Sequence, residues 1–202
     1  MPSVYLLYMQ FQPGGTLASV VNRARHTRVC DRSGQLILDT VDRALLQTSQ
    51  LVPERSLVRD RLVEMSWPMA VAWLGIQLAG ALENAHGRGV MHRDVKPANV
   101  LLSAEGIPKL ADFNVSFAGE IGNAGAGNRF GGSIGYMAPE HLKAMMAVAS
   151  SRPEDVGPSA DLYSLAIPLW ELWQGHRPFN ASGTPSSWTD AVQSQLEARA
   201  IP

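Results

Sequence analysis

The spacing of hydrophobic positions changes along this chain, and each change predicts an element. Apolar residues crowd Val4 to Phe11 in a strand-like run, "QPGG" turns the chain, and Thr16 is placed to cap a short helix. From His26 to Met65 the pattern loosens. Arginines there are balanced by acids and only "LILDTVDRALL" is weakly periodic, which predicts a solvated excursion with a helical turn or two. Ser66 ahead of Trp67 and Pro68 reads as an N-cap with proline in the first turn. Ala70, Trp73, Leu74, Gln77, Leu78 and Ala81 follow at helical spacing, so a long, mostly buried helix is expected to about Gly87. "HGRGV" then supplies a glycine stop and a short strand, and "VLL" and "PKLADF" read as two more strands. A glycine-rich loop, "GEIGNAGAGNRFGG", comes next. Asp161 to Trp173 is apolar almost all round, the pattern of a helix in the middle of a core. No internal repeat or domain boundary interrupts the chain.

Composition narrows the function classes. With 202 residues, 46% of them hydrophobic, the chain can bury a sizeable core as one domain. A formal net charge of −1 offers no basic excess for nucleic acid or an anionic membrane, so neither partner is expected. Cys30 is the only cysteine, which excludes an internal disulfide and a cysteine zinc site and fits a reducing compartment, the cytoplasm by default. The opening "MPSVYLLYMQF" lacks a basic leader. The longest apolar stretch, Met69 to Leu82, is interrupted by Gln77 and falls short of the roughly 18 residues a membrane span needs. His26, His86, His141 and His176 show no metal-ligand spacing and are expected at the surface or at helix ends.

The chemistry concentrates in "HRDVKPANVLL", residues 92–102. Asp94 and Asn99 are expected in a loop, because Pro97 removes a backbone donor between them, and a second acid, Asp112, follows the next short strand. Two acids and an amide on neighbouring loops can offer hard oxygen ligands to Mg²⁺ while leaving one carboxylate for a substrate hydroxyl. Lys96 can set a positive charge where a migrating phosphoryl group gathers negative charge. Taken alone, an Asp and an Asn five apart usually mean a turn. Together these groups point to phosphoryl transfer.

At these residues the chain resembles the C-terminal lobe of a bacterial-type serine/threonine protein kinase. "HRDVKPAN" is similar to the catalytic loop, "ADFN" to the metal-binding DFG motif, "GSIGYMAPE" to the end of the activation segment and "ADLYSLAIPLWEL" to the lobe's central helix. The resemblance implies a mainly α fold with short β-strands, an α+β kinase-like C-lobe preceded by the last strand of the small lobe and the hinge. It implies ATP and Mg²⁺ as cofactors and a protein carrying serine or threonine as substrate. Asp94 would be the catalytic base, Lys96 the phosphate-contacting lysine, Asn99 and Asp112 the Mg²⁺ ligands, and Asp161 a brace for the catalytic loop. Residues 1–15 would form the hinge strand and hinge, with Met9 as gatekeeper, Gln10 and Gln12 meeting the adenine edge through their backbone, and Leu101 beneath the ring. Residues 26–65 would be an insertion and 66–202 the lobe itself. Lys96 and Ser133 favour the serine/threonine class over tyrosine.

The departures set further expectations. Asn114 stands where the motif has glycine, a substitution that leaves Asp112 usable because asparagine tolerates positive φ. The glycine-rich phosphate lid, the ATP-anchoring lysine and its glutamate partner have no counterpart, Lys96 being the first lysine in the sequence. The resemblance also stops near Pro202, before the arginine that pairs with the acid of "APE". Glu140 is therefore expected to be a partly buried carboxylate without its partner, a defect costing about 3–5 kcal/mol. Between Asp112 and Ser133 only Ser116 could carry a phosphate for Arg93 to grip. The reading that follows is a partial kinase domain, truncated at both ends and impaired in transfer. The alternatives are a small-molecule phosphotransferase with a related core and a non-catalytic kinase-like module or gene fragment that binds a partner protein.

Overall fold

A computed structural model describes residues 9–54, 56–113, 134–146, 156–179 and 185–200. Thr16, in extended conformation, opens helix α1, Leu17–Arg25, which buries Leu17, Val20, Val21 and Ala24 at helical spacing and closes on Arg23 and Arg25. Helix α2 spans Gly34–Gln47 and α3 spans Leu57–Glu64. Gly34 is required where α2 begins, since a Cβ there would sit 1.9 Å from the Leu62 carbonyl oxygen. Helix α4, Trp67–His86, starts after Ser66 as expected, although the serine side chain makes no capping bond. Strands β1, Val100–Leu102, and β2, Pro108–Leu110, pair antiparallel with Val100 facing Leu110 and Leu102 facing Pro108. Helices α5, Pro139–Met146, α6, Pro158–Gln174, and α7, Trp188–Arg199, complete the described elements. The fold is mainly α with one small two-stranded sheet.

The 26–65 excursion is more than the solvated stretch with a helical turn or two that its charges predict. Helix α2 has 14 residues and buries Leu36, Ile37, Leu38, Val41 and Leu45 in the same core as α1, α4, Val95, Val100 and Leu102. Both of its acids are paired across elements, Arg23 with Asp39 at 3.2 Å and Arg59 with Asp42 at 2.8 Å. Charges paired this way leave a broad apolar stripe facing inward, and the mixture of the two blurred the periodicity.

Helix α6 departs from expectation in the other direction. One side buries Ala160, Asp161, Ser164, Leu165, Ile167, Pro168, Glu171 and Leu172, and Trp67 of α4 donates its indole N–H to the Leu172 carbonyl at 2.9 Å. The other side leaves Leu162, Trp170 and Trp173 about half exposed, so the helix is only partly enclosed. No strand forms at Val90 and Met91, where the chain passes straight from the α4 end, through Gly89 at φ 75°, into the loop. Of the strand expected over 4–11, residues 9–11 form none, and residues 4–8, the glycine-rich loop, Asn114, Ser116 and Ser133 lie outside the described residues. Among the described residues, no helix is long and apolar enough to cross a membrane.

Candidate active site

The loop after α4 is organised around one buried carboxylate. Asp161, in the first turn of α6 and 1% exposed, accepts the backbone N–H of His92 at 2.7 Å and of Arg93 at 2.6 Å. His86, the last residue of α4, meets the same carboxylate through Nε2 at 2.8 Å. Arg93 holds a left-handed backbone, φ 62°, a conformation costing about 1–3 kcal/mol in a non-glycine residue. The two bonds from Asp161 to consecutive amides hold that bend in place.

His92 is fully buried. Its Nδ1 accepts the Asp94 N–H at 3.3 Å, so Nε2 carries the proton and donates to the Ala111 carbonyl at 3.0 Å. Its ring lies 4.6 Å from that of Phe113. Burial, only partly opposed by Asp161, pushes the imidazole below its usual range, in keeping with a neutral ring. The residue therefore ties the 92–94 loop to the end of β2.

Asp94 is the centre of the exposed side. Its Oδ2 accepts Lys96 Nζ at 2.7 Å and Asn99 Nδ2 at 2.9 Å, and Asn99 Nδ2 also donates to the Asp94 backbone carbonyl at 2.9 Å. Oδ1 accepts no hydrogen bond among the described residues. A 3₁₀ turn, Pro97–Asn99, positions Asn99 directly ahead of β1. Ala111 N–H donates to the Asn99 carbonyl at 2.9 Å, which brings Asp112 to the same end of the hairpin. Asp112 is exposed and, like Arg93, left-handed, with φ 59°.

These residues fit a hard divalent cation. With its NH₂ group committed to Asp94, Asn99 turns its amide oxygen away from that carboxylate, while Asp112 offers an exposed carboxylate. Two protein oxygens suit Mg²⁺, which keeps waters or phosphate oxygens for its other positions. Among the described residues no group of three or more His, Cys, Asp and Glu is arranged to hold a metal.

The expected adenine-side residues are placed less tightly. Met9 is 56% exposed, Gln10 is exposed and Gln12 half-buried. Gly14 N–H donates to the Leu102 carbonyl and Leu102 N–H to the Gly15 carbonyl, both at 2.9 Å, so this segment runs beside β1. Leu101 is half-buried and bridges Thr16.

His86 lies at a helix end, as expected, and meets Asp161, while His141 is 3% exposed rather than superficial; neither partner nor burial has a local sequence signal, since these surroundings come from elements far along the chain. Glu140 is exposed in the first turn of α5, so the buried unpaired carboxylate does not exist and its cost does not arise. Besides Asp161, the acid that is buried among the described residues is Glu171 of α6, which pairs with Arg25 of α1 and accepts a hydrogen bond from Tyr136 Oη at 2.8 Å. Burial, then Glu171, raises the Tyr136 phenol well above its usual range, so it stays a donor. Arg199 fastens α7 to the segment ahead of α5, donating to the Gly135 carbonyl at 2.9 Å.

Burial also lowers His141, with Arg93 acting the same way and Asp161 opposing. For both lowered histidines the unfolded chain binds protons that the folded chain does not, in the window between the folded value and the unfolded value near 6.5. Their contribution is therefore complete above that value and lost as pH falls through the window, by at most about 1.4 kcal/mol per pH unit for each histidine. Urea denaturation at pH 7.5 and 5.5 should show this loss, and His141→Gln should make it shallower. An unchanged slope in that variant would remove His141 from the account.

Residues 69–201 match the protein kinase domain family. A probable serine/threonine-protein kinase of Clostridium perfringens is 37% identical over 129 residues, 64% of this chain and 17% of that protein. Serine/threonine-protein kinase PknL of Mycobacterium tuberculosis is 33% identical over 135 residues, 66% of this chain and 32% of the relative. Human receptor-interacting serine/threonine-protein kinase 1 is 28% identical over 175 residues, 80% of this chain and 25% of the relative. The matched stretches thus span a third or less of these relatives. Since the family match takes in α4, the loop around Asp94, the hairpin and the helices beyond it, the chain belongs to the protein kinase family.

Proposed function

We propose that residues 92–112 serve ATP-dependent phosphoryl transfer to serine or threonine of a protein substrate. The observation that carries this reading is the joining of Asp94, Lys96 and Asn99 by hydrogen bonds at the end of the hairpin that also bears Asp112. Asp94 takes the hydroxyl proton on its open Oδ1, and Lys96 faces the charge that grows on the transferring phosphoryl group. Asn99 and Asp112 would hold Mg²⁺, which when bound would supply positive charge to offset the charge of the phosphates. Met9, the backbone of Gln10 and Gln12, and Leu101 border the adenine.

Within these 202 residues transfer is impaired. Lys96 is the first lysine in the sequence, so the stretch carries part of the charge clamp that positions the β- and γ-phosphates. The 202-residue polypeptide is expected to bind Mg²⁺-ATP more weakly than micromolar by calorimetry. With Mn²⁺ and high ATP it should transfer no more labelled phosphate to a protein than its Asp112→Ala variant does. Transfer that Asp112→Ala eliminates would overturn the impairment and support catalysis; tight nucleotide binding indifferent to Asp112→Ala would overturn the cation assignment.

A further inference from the structure

We propose that the 26–65 excursion is a clamp on the β1–β2 hairpin and that Arg59 is its positioning residue, fixing the strands whose far ends carry Asn99 and Asp112. This rests on the reading of those two residues as cation ligands. Each strand has three residues, and a two-stranded ribbon of that size does not hold its shape alone in water. Its support has to come from packing.

Much of that support comes from the excursion. Val100 and Leu102 enter the core together with Leu38 and Leu62. At the hairpin turn Gly106 has φ 86°, and a Cβ there would lie 3.0 Å from Leu62 Cδ1, 3.4 Å from Leu38 Cδ2 and 3.8 Å from Ile37 Cγ2. Helices α2 and α3 therefore close over the turn. On the other side of β1, a Cβ at Gly15 would meet Ala44 of α2 at 3.2 Å, so the same helix backs the segment that pairs with Leu102.

Arg59 fixes the turn in place. Nη1 donates to the Ala104 carbonyl at 2.9 Å and Nη2 to Asp42 Oδ2 at 2.8 Å, with the side chain only 12% exposed. A planar guanidinium bound to two partners sets the separation between them, here between the hairpin turn and α2. The remaining Asp42 oxygen, Oδ1, is buried without a hydrogen-bond partner among the described residues, so this carboxylate depends on Arg59. The site is at the opposite end of the strands, where the Ala111 to Asn99 bond holds them together. Arg59 touches none of the site residues and acts through the hairpin.

Arg59→Met in the 202-residue chain keeps the apolar stem and removes both bonds. Amide hydrogen exchange at Leu102 and Ala111 should speed up about tenfold or more while that at Leu165 and Leu172 in α6 stays unchanged. Mn²⁺ affinity, read by water-proton relaxation, should fall about tenfold, the low end for loss of an outer support. Arg59→Lys, which can reach one partner at a time, should fall between. Unchanged hairpin exchange would overturn the proposal, and so would equal acceleration in the hairpin and α6, since Arg59 would then only support the fold. Hairpin-confined acceleration with Mn²⁺ affinity unchanged would also overturn it, provided Asp112→Ala lowers that affinity. If Asp112→Ala leaves Mn²⁺ binding intact, the cation assignment fails, while the exchange result still decides whether the clamp exists. Should Arg59→Met not fold, Arg59→Lys and Asp42→Asn carry the same readings.

Discussion

Asp94→Asn should lower phosphoryl transfer by about 10²–10⁴-fold and leave nucleotide affinity nearly unchanged, the range expected when a general base is removed. The hydrogen bonds explain why the effect separates so cleanly. Lys96 and Asn99 both donate to Oδ2, so an asparagine at this position keeps its carbonyl oxygen on those donors and the loop holds its shape. Its NH₂ group then faces the open side, where the proposed base would offer a lone pair to the substrate proton. The chemistry is lost without the geometry. The measurement uses this chain joined to the small lobe of a bacterial serine/threonine kinase relative, with steady-state transfer and nucleotide titration on the same preparation. Turnover retained within a few-fold would remove Asp94 from the role of base.

Asp161→Ala should have the largest effect on stability, a loss of about 3–5 kcal/mol, the range for removing one member of a buried charged cluster. The carboxylate serves three donors at once, the amides of His92 and Arg93 and the ring of His86, and each is left unpaired by the change. The left-handed bend at Arg93 also loses the two bonds that hold it. For a domain whose whole stability is about 5–15 kcal/mol, a loss of this size leaves a large unfolded fraction under mild denaturant. Asp161→Asn, which keeps one accepting oxygen, should cost less. Urea melts of the two variants check this, and a loss under about 1 kcal/mol for Asp161→Ala would mean that the loop is held elsewhere.

Both effects trace to residues whose importance could be read at different levels. The hydrogen-bonded cluster of Asp94, Lys96 and Asn99 was legible because it is local. Asp94, Lys96 and Asn99 lie within six residues, Pro97 holds the turn between them, and their hydrogen bonds follow from that short path. The start of α4 at Ser66 and Trp67 and of α1 at Thr16 was legible for the same reason, since an extended residue ahead of the helix, and for α4 a proline in its first turn, act locally even though neither hydroxyl makes a capping bond. Strands β1 and β2 were also anticipated, because short apolar runs on either side of a glycine-bearing turn have few alternatives.

Neighbouring residues set where helices begin, where the chain turns, and which acid, lysine and amide share a loop. Partnerships across long separations were fixed by the packing of the folded chain. His86 is the helix-end residue that its position suggests, but only α6 brings Asp161 to it, and Glu140, expected to be partly buried, is turned outward by α5 while Glu171 is enclosed by Arg25 and Tyr136. The excursion shows the same physics at larger scale. Asp39, Asp42 and Arg43 dilute the apolar stripe of α2 and make it look solvated, yet a charge that finds a partner on another helix leaves the stripe beneath it free to pack. Whether a charged residue marks solvent or an ion pair depends on what stands opposite it, and that is set by the packing of elements far apart in the chain.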